Sequence, residues 1–102
     1  MYIHIKMSEL DLYWKTQKWA IETHGENAFV FMETGSFMEC YGTDDFGFAK
    51  RASKILNMRC PKRNNKLPLS SKNPYMLGFQ TDMSFKNIPV LLEAGIIIIW
   101  MS

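Results

Sequence analysis

A strand–turn–strand pattern at residues 29–41 limits this chain to folds that contain a β-hairpin. Phe29–Met32 is continuously apolar, as in a buried strand. Gly35 can adopt the positive φ of a tight turn, after which the chain returns as a second strand. Because alternate side chains of a strand face opposite sides, one face of the returning strand is predicted to carry an aromatic ring beside a carboxylate. The side chains predicted on that face are Phe37, Glu39 and Tyr41, and those on the other are Met38 and Cys40.

The pattern leaves two interpretations of Phe37 open. An aromatic ring in a strand is most often a core residue. Glu39 on the same face favours the opposite interpretation, because a carboxylate is rarely buried without a partner. An exposed Phe37 would be a contact residue for another molecule. Glu39 alone would be read as an ordinary exposed strand carboxylate.

The segment Gly35-Ser36-Phe37-Met38-Glu39 resembles the Gly-x-Phe-x-Glu motif of the N-terminal mismatch-recognition domain of MutS DNA mismatch repair proteins. It is most similar to the subgroup of giant viruses and octocoral mitochondria, whose motif reads Gly-Ser-Phe-x-Glu-x-Tyr. Two further segments match in order. Residues 45–56 resemble the helix that follows the motif, and residues 73–79, Asn-Pro-Tyr-Met-Leu-Gly-Phe, resemble that subgroup's Asn-Pro-Tyr-Met-x-Gly-Phe. The resemblance covers residues 10–102.

The resemblance implies binding of mismatched or looped double-stranded DNA in DNA repair. Phe37 would enter the minor groove and stack on a mispaired or unpaired base, and Glu39 would contact that base. Gly35 and Ser36 would form the supporting turn. Unstacking a base step costs a few kcal/mol, least where pairing is already broken. Mismatches would therefore be found by weak stacking and easy bending.

The resemblance also implies what this domain leaves to others. The domain would be non-catalytic and hold no cofactor or metal, whereas ATP and Mg²⁺ would bind the ATPase domain of a full-length protein. A chain of 102 residues cannot hold that domain. Residues 1–102 are therefore expected to be one mismatch-recognition domain of a longer protein, or a free-standing remnant of one. Its partners would be the remaining MutS domains, within a dimer.

Composition excludes several other classes. Hydrophobic residues make up 47% of the chain, too many for a disordered tail. No apolar stretch reaches the ~18 residues of a membrane span, and residues 1–6 do not resemble a secretion signal. Cys40 and Cys60 have neither zinc-ligand nor disulfide-framework spacing. We expect an intracellular protein, from a viral replication compartment in the host cytoplasm or from a mitochondrion.

Charge is strongly divided along the chain. Residues 1–45 contain three basic and eight acidic residues, whereas residues 46–81 contain eight basic residues and no acidic one. A solvated surface normally mixes both signs, so this acid-free segment favours contact with nucleic acid over a merely solubilising role. The cations predicted to bind DNA phosphates lie in the loop rather than on the preceding helix. They are Lys62, Arg63, Lys66 and Lys72.

The order of predicted elements indicates an α/β domain, with a mixed β-sheet and about three helices packed on it. Helices are predicted at residues 8–24 and 45–56 and before Gly95, the last starting at Ser84 or, because of Pro89, at Asn87. A short strand and an exposed loop are predicted for residues 59–73, and another strand for residues 75–79. Residues 96–100 have the unbroken apolar character of a strand covered on both faces. Residues 2–5 are either a short strand or a tail.

Two other functions compete with mismatch recognition. A small metal-dependent nuclease would need clustered carboxylates, but Asp44 and Asp45 are more typical of helix caps. A basic interaction module would instead present its cationic loop to an acidic protein. A metal-dependent cleavage assay separates the first alternative from DNA recognition.

Overall fold

A computed structural model describes residues 2–5 and 9–102. Within these residues five strands form one mixed sheet, and three α-helices pack on it. The predicted α/β class with a mixed sheet is therefore confirmed. The elements are β1 (Tyr2–Ile5), α1 (Leu10–His24), β2 (Ala28–Thr34), β3 (Phe37–Gly42), α2 (Ala49–Leu56), β4 (Tyr75–Gln80), a 3-10 turn (Thr81–Met83), α3 (Ser84–Glu93) and β5 (Ile97–Met101).

The strand order in the sheet is β1-β5-β2-β3-β4. β5 runs parallel to both of its neighbours, β1 and β2, whereas β2, β3 and β4 are antiparallel. Ile98 packs into the apolar cluster on one face, and Ile99 into the cluster on the other. The prediction that this segment is covered on both faces is thus confirmed. Of the two possibilities for residues 2–5, the strand is correct.

The helices cover the sheet unequally, and this leaves a site open. α1 packs over β2 and β5 on one face, and α2 and α3 pack on the other. The buried Tyr13 of α1 donates its hydroxyl to the Val30 carbonyl at 2.7 Å and accepts the Tyr41 N–H at 2.9 Å. α1 is thereby fixed to β2 and to the far end of β3. On this face Phe37, at the start of β3, remains exposed.

Two helix starts differ from the predictions. α1 begins at Leu10, and Ser8 lies outside the described residues. α2 begins at Ala49 rather than Asp45, because the Thr43 hydroxyl accepts the N–H groups of Asp45 and Phe46 and closes a separate turn before the helix.

The last helix, α3, starts at Ser84, so the alternative start at Asn87 is wrong. The 3-10 turn Thr81–Met83 leads directly into the helix. Pro89 lies inside the helix but on its exposed side. Asn87 and Leu91 are buried four residues apart, and packing of that side stabilises the helix despite the missing N–H of Pro89.

The strand predicted near Arg59 is also wrong. The described segment between α2 and β4 forms isolated bridges instead of a strand. These bridges are Lys62–Tyr75 and Ser70–Asn73. Within the described part of the chain, no helix is long and apolar enough to cross a membrane.

Candidate functional site

The hairpin between β2 and β3 has a two-residue turn at Gly35 and Ser36, flanked by the paired residues Thr34 and Phe37. Gly35 has a φ of 59°, and Ser36 has no positive φ, as in the type II′ turn favoured by hairpins. The Ser36 carbonyl accepts the Thr81 N–H at 2.7 Å. The turn is therefore supported from the end of β4 as well as by its own strands.

Phe37 is the first residue of β3 and is 44% exposed. Its neighbour Met38 is 2% exposed and belongs to the core on the opposite face. The predicted alternation of side chains along β3 is confirmed. The interpretation of Phe37 as a core residue is wrong, because its ring is exposed. The ring is held at the end of a strand, beside a supported turn.

Glu39 lies on the same face as Phe37 and is half-buried. Its Oε1 accepts a hydrogen bond from the Thr34 hydroxyl at 2.7 Å and another from the Tyr41 hydroxyl at 2.5 Å. Both donors use the same oxygen, so Oε2 is the atom that the carboxylate can offer to a ligand. Burial, and then the hydrogen bond to Glu39, raise the pKa of Tyr41, which keeps the Tyr41 hydroxyl protonated as a donor.

An open depression of about 320 Å³ adjoins these two side chains. It is lined by Phe37, Glu39, Arg59, Pro61, Met76 and Gly78. Sequence reasoning missed Arg59 as a member of the site and placed it only among the cations of the acid-free segment. The signal that could have identified Arg59 was the alternation of apolar and polar side chains in the residues after α2. Met58 and Cys60 pack against the core, while Arg59 and Pro61 face the depression.

The basic loop, residues 59–74, is organised around the buried side chain of Asn73. The Asn73 amide nitrogen donates to three carbonyls, and its oxygen accepts the Asn64 N–H at 2.8 Å. The three carbonyls are those of Asn64, Leu67 and Pro68, at 3.0, 3.1 and 3.1 Å. The loop is attached to β4 through the Pro61 carbonyl, which accepts the Met76 N–H at 2.8 Å. The cationic loop is therefore an ordered surface.

The four predicted phosphate contacts lie in this loop, in unequal settings. Arg63 is exposed, and its guanidinium lies 5.9 Å from the centre of the Tyr41 ring, next to Glu39. Lys66 and Lys72 are exposed. Lys62 is half-buried, and its ammonium group donates to the Leu67 carbonyl at 2.9 Å. Arg63 thus contacts a residue of the Phe37 face, and Lys62 is partly used inside the loop.

The cations of α2 lie on the other side of the sheet. Lys50 sits 4.0 Å above the Tyr75 ring, and Arg51 donates to the Glu26 carbonyl at 2.8 Å and to the Asn27 side chain at 3.0 Å. α2 packs on the face opposite Phe37. The contacts therefore place Arg59 and Arg63 on the Phe37 side of the sheet, and Lys50 and Arg51 on the other.

Other reactive groups do not converge on this site. Cys40 and Cys60 are free thiols, and burial raises the pKa of Cys40 to about 12. Within residues 2–5 and 9–102, no three His, Cys, Asp or Glu side chains come together as metal ligands.

Comparison with known proteins adds no relative. No protein-family profile matches the chain, and no curated protein has a detectably similar sequence.

Proposed function

We propose that this domain recognises mismatched or looped double-stranded DNA, as the N-terminal mismatch-recognition domain of a MutS-type repair protein. Two sequence resemblances support this proposal. They are the Gly-x-Phe-x-Glu motif at residues 35–39 and the Asn-Pro-Tyr-Met-x-Gly-Phe motif at residues 73–79. The observation that carries it is the exposed Phe37 ring, presented at a supported hairpin turn beside the half-buried Glu39 carboxylate.

Each part of the site has a physical role in this mechanism. Phe37 acts as a wedge, because an apolar side chain inserted between base pairs kinks the duplex most easily where stacking is already weak. Glu39 lies beside the wedge and can accept a hydrogen bond from the displaced base through Oε2. Thr34 and Tyr41 hold the carboxylate in place through Oε1.

The basic loop supplies affinity without selectivity. Arg63, Lys66 and Lys72 are exposed cations, which would bind phosphates and displace counterions along the backbone. The domain itself would then be non-catalytic. ATP, Mg²⁺ and dimer formation would belong to the remaining MutS domains, and the compartment would be intracellular.

The direct test compares the wild-type chain on three duplexes that differ at one position: fully matched, one base–base mismatch, and one unpaired nucleotide. Fluorescence anisotropy at low salt is expected to show tighter binding to the last two. Equal affinity for all three duplexes would contradict mismatch recognition and favour the alternative of a basic interaction module. Cleavage of any duplex in the presence of Mg²⁺ or Mn²⁺ would favour the nuclease alternative.

Replacement of Glu39 by Gln separates the carboxylate's charge from its shape. The amide oxygen can keep the hydrogen bonds from Thr34 and Tyr41, so the melting temperature should stay close to that of the wild type. Affinity for DNA should hold or rise, since a negative charge near phosphates is removed. The preference for mismatched over matched DNA should narrow. An unchanged preference would show that the carboxylate does not contact the base.

The loop cations can be tested through the salt dependence of binding. The double substitution Arg63→Ala and Lys66→Ala should weaken binding to matched and mismatched duplexes alike. The slope of log K against log salt should become shallower by about 0.9 for each phosphate that the variant no longer neutralises. Lys86→Ala is the matched control, because Lys86 is an exposed cation on α3, across the sheet. An unchanged slope in the double variant would exclude this loop from the interface.

A further inference from the structure

The depression beside Phe37 has the form of a binding site for one flat ring. Its volume of about 320 Å³ is at the small end of the roughly 300–1,000 Å³ range of ligand sites. Phe37, Met76 and Pro61 provide apolar walls, and Glu39 and Arg59 provide one group of each charge. A small site with apolar walls and two opposed polar groups suits an aromatic heterocycle better than an aliphatic or fully ionic ligand.

The depression exists because β4 carries a glycine at one position. Gly78 pairs with Glu39 in the antiparallel ladder, so its missing side chain would stand on the same face as Glu39. A Cβ at Gly78 would lie 3.6 Å from Glu39 Cγ and 3.7 Å from the Met38 carbonyl oxygen, which are ordinary contacts. The position therefore tolerates a side chain sterically, and glycine keeps the floor of the depression open.

The walls are fixed by backbone contacts on both sides. Pro61 is attached to β4 by the bond from the Met76 N–H to its carbonyl at 2.8 Å, and the neighbouring Lys62 forms a bridge with Tyr75. On the opposite side, Phe37 and Glu39 are held by the hairpin. Such a preformed site binds a ring without ordering a loop first.

We infer that this depression receives the nucleobase that leaves the helix stack when Phe37 enters it. This inference rests on the proposed function and adds the place where the displaced base goes. The base would lie over Gly78, between the Phe37 ring and Met76. Glu39 Oε2 would accept a hydrogen bond from an exocyclic amino group, and Arg59 would bind the phosphate of the same nucleotide.

The site therefore favours DNA with an unpaired nucleotide. In a base–base mismatch both bases retain a partner across the helix, whereas an unpaired nucleotide has no pairing to lose when its base is extruded. An unpaired base that has an exocyclic amino group should be preferred over one that lacks it, because Glu39 Oε2 is a hydrogen-bond acceptor.

The test introduces a side chain at Gly78, which would occupy part of the depression. Gly78→Val places a β-branched side chain on a strand, where such residues are favoured, and Gly78→Ala adds one methyl group. The probe is a duplex with one unpaired 2-aminopurine, a fluorescent base with an exocyclic amino group, compared with mismatched and matched duplexes. Acrylamide quenching of the probe reports whether its base is shielded in the complex.

With the wild-type protein, binding should protect the 2-aminopurine from acrylamide. Gly78→Val should abolish this protection and weaken binding of the unpaired-base duplex by roughly tenfold, the lower part of the range for removal of one base–aromatic stack. Affinity for the base–base mismatch should change by less than about twofold. If Gly78→Val lowers the melting temperature, Gly78→Ala gives the same comparison with a smaller expected effect.

Ser84→Val is the matched control. Ser84 lines another depression, of about 300 Å³, on the opposite face of the sheet, together with Met38 and Trp100. Filling that depression should leave protection and affinity unchanged. Selective weakening in the Gly78 variants supports the inference. Retained protection and unchanged affinity in folded Gly78→Val would overturn it while leaving mismatch recognition intact. If the wild-type protein itself shows no preference among the duplexes, both the proposed function and this inference fail.

Discussion

Replacement of Phe37 by alanine is expected to weaken binding to a mismatched or looped duplex by about 1–3 kcal/mol, the range for removing an aromatic platform from a stacked base. This corresponds to a roughly 5- to 150-fold increase in Kd. Binding to the matched duplex should change far less, because the ring inserts only where stacking is already weak. The measurement is fluorescence anisotropy on both duplexes, combined with thermal unfolding of the same variant.

Two other phenylalanines provide matched controls for this variant. Phe85, on α3, is 77% exposed, and Phe85→Ala should affect neither mismatch preference nor, to any large extent, stability. Phe31 is fully buried in the core, and Phe31→Ala should lower the free energy of unfolding by about 3–5 kcal/mol. Phe37→Ala should resemble the Phe85 variant in melting and differ from it in DNA binding. A fall in melting temperature as large as that of Phe31→Ala would contradict the wedge interpretation.

Replacement of Asn73 by alanine should lower the free energy of unfolding by about 1–3 kcal/mol, because the loop N–H and carbonyl groups that it satisfies are left without their partner. The effect should be concentrated in the basic loop, residues 59–74. Limited digestion with trypsin measures this directly, since the loop contains several lysines and arginines. Cleavage in the loop should be faster in the variant, and affinity for matched and mismatched DNA should fall together.

Asn65→Ala is the control for this experiment. Asn65 is exposed and lies in the same loop, so its truncation should be nearly neutral. If Asn73→Ala digests and melts like Asn65→Ala, the loop is ordered by other contacts. If digestion accelerates while DNA affinity stays unchanged, the ordered loop is not a DNA-binding surface.

Several features of this protein follow from local patterns that need no tertiary information. The turn at Gly35 and the alternation of β3 could be predicted, because both depend only on residues adjacent in the chain. The buried character of β5 followed from its run of isoleucines. The same patterns placed Phe37 and Glu39 together. They could not decide whether Phe37 is exposed, because exposure depends on where α1 packs.

Helix boundaries were predicted less well, and for identifiable reasons. Pro89 is unfavourable inside a helix, but burial of Asn87 and Leu91 on the opposite side outweighs that local preference. For this helix, packing against residues distant in the sequence decides between two locally reasonable starts. The late start of α2 has a local cause, because the Thr43 hydroxyl accepts the N–H groups of Asp45 and Phe46 and closes a separate turn.

The class of the fold, the hairpin that presents Phe37 and the division of charge along the chain could all be predicted from the sequence. The form of the site could not, because it depends on contacts between separate elements. Thr34 and Tyr41 bond to Glu39, Arg59 reaches the depression, and Gly78 opens its floor. These contacts join strands and loops whose separation and register no local pattern encodes. The physical reason is that side-chain alternation fixes direction within one strand, whereas a site depends on which strand lies beside it.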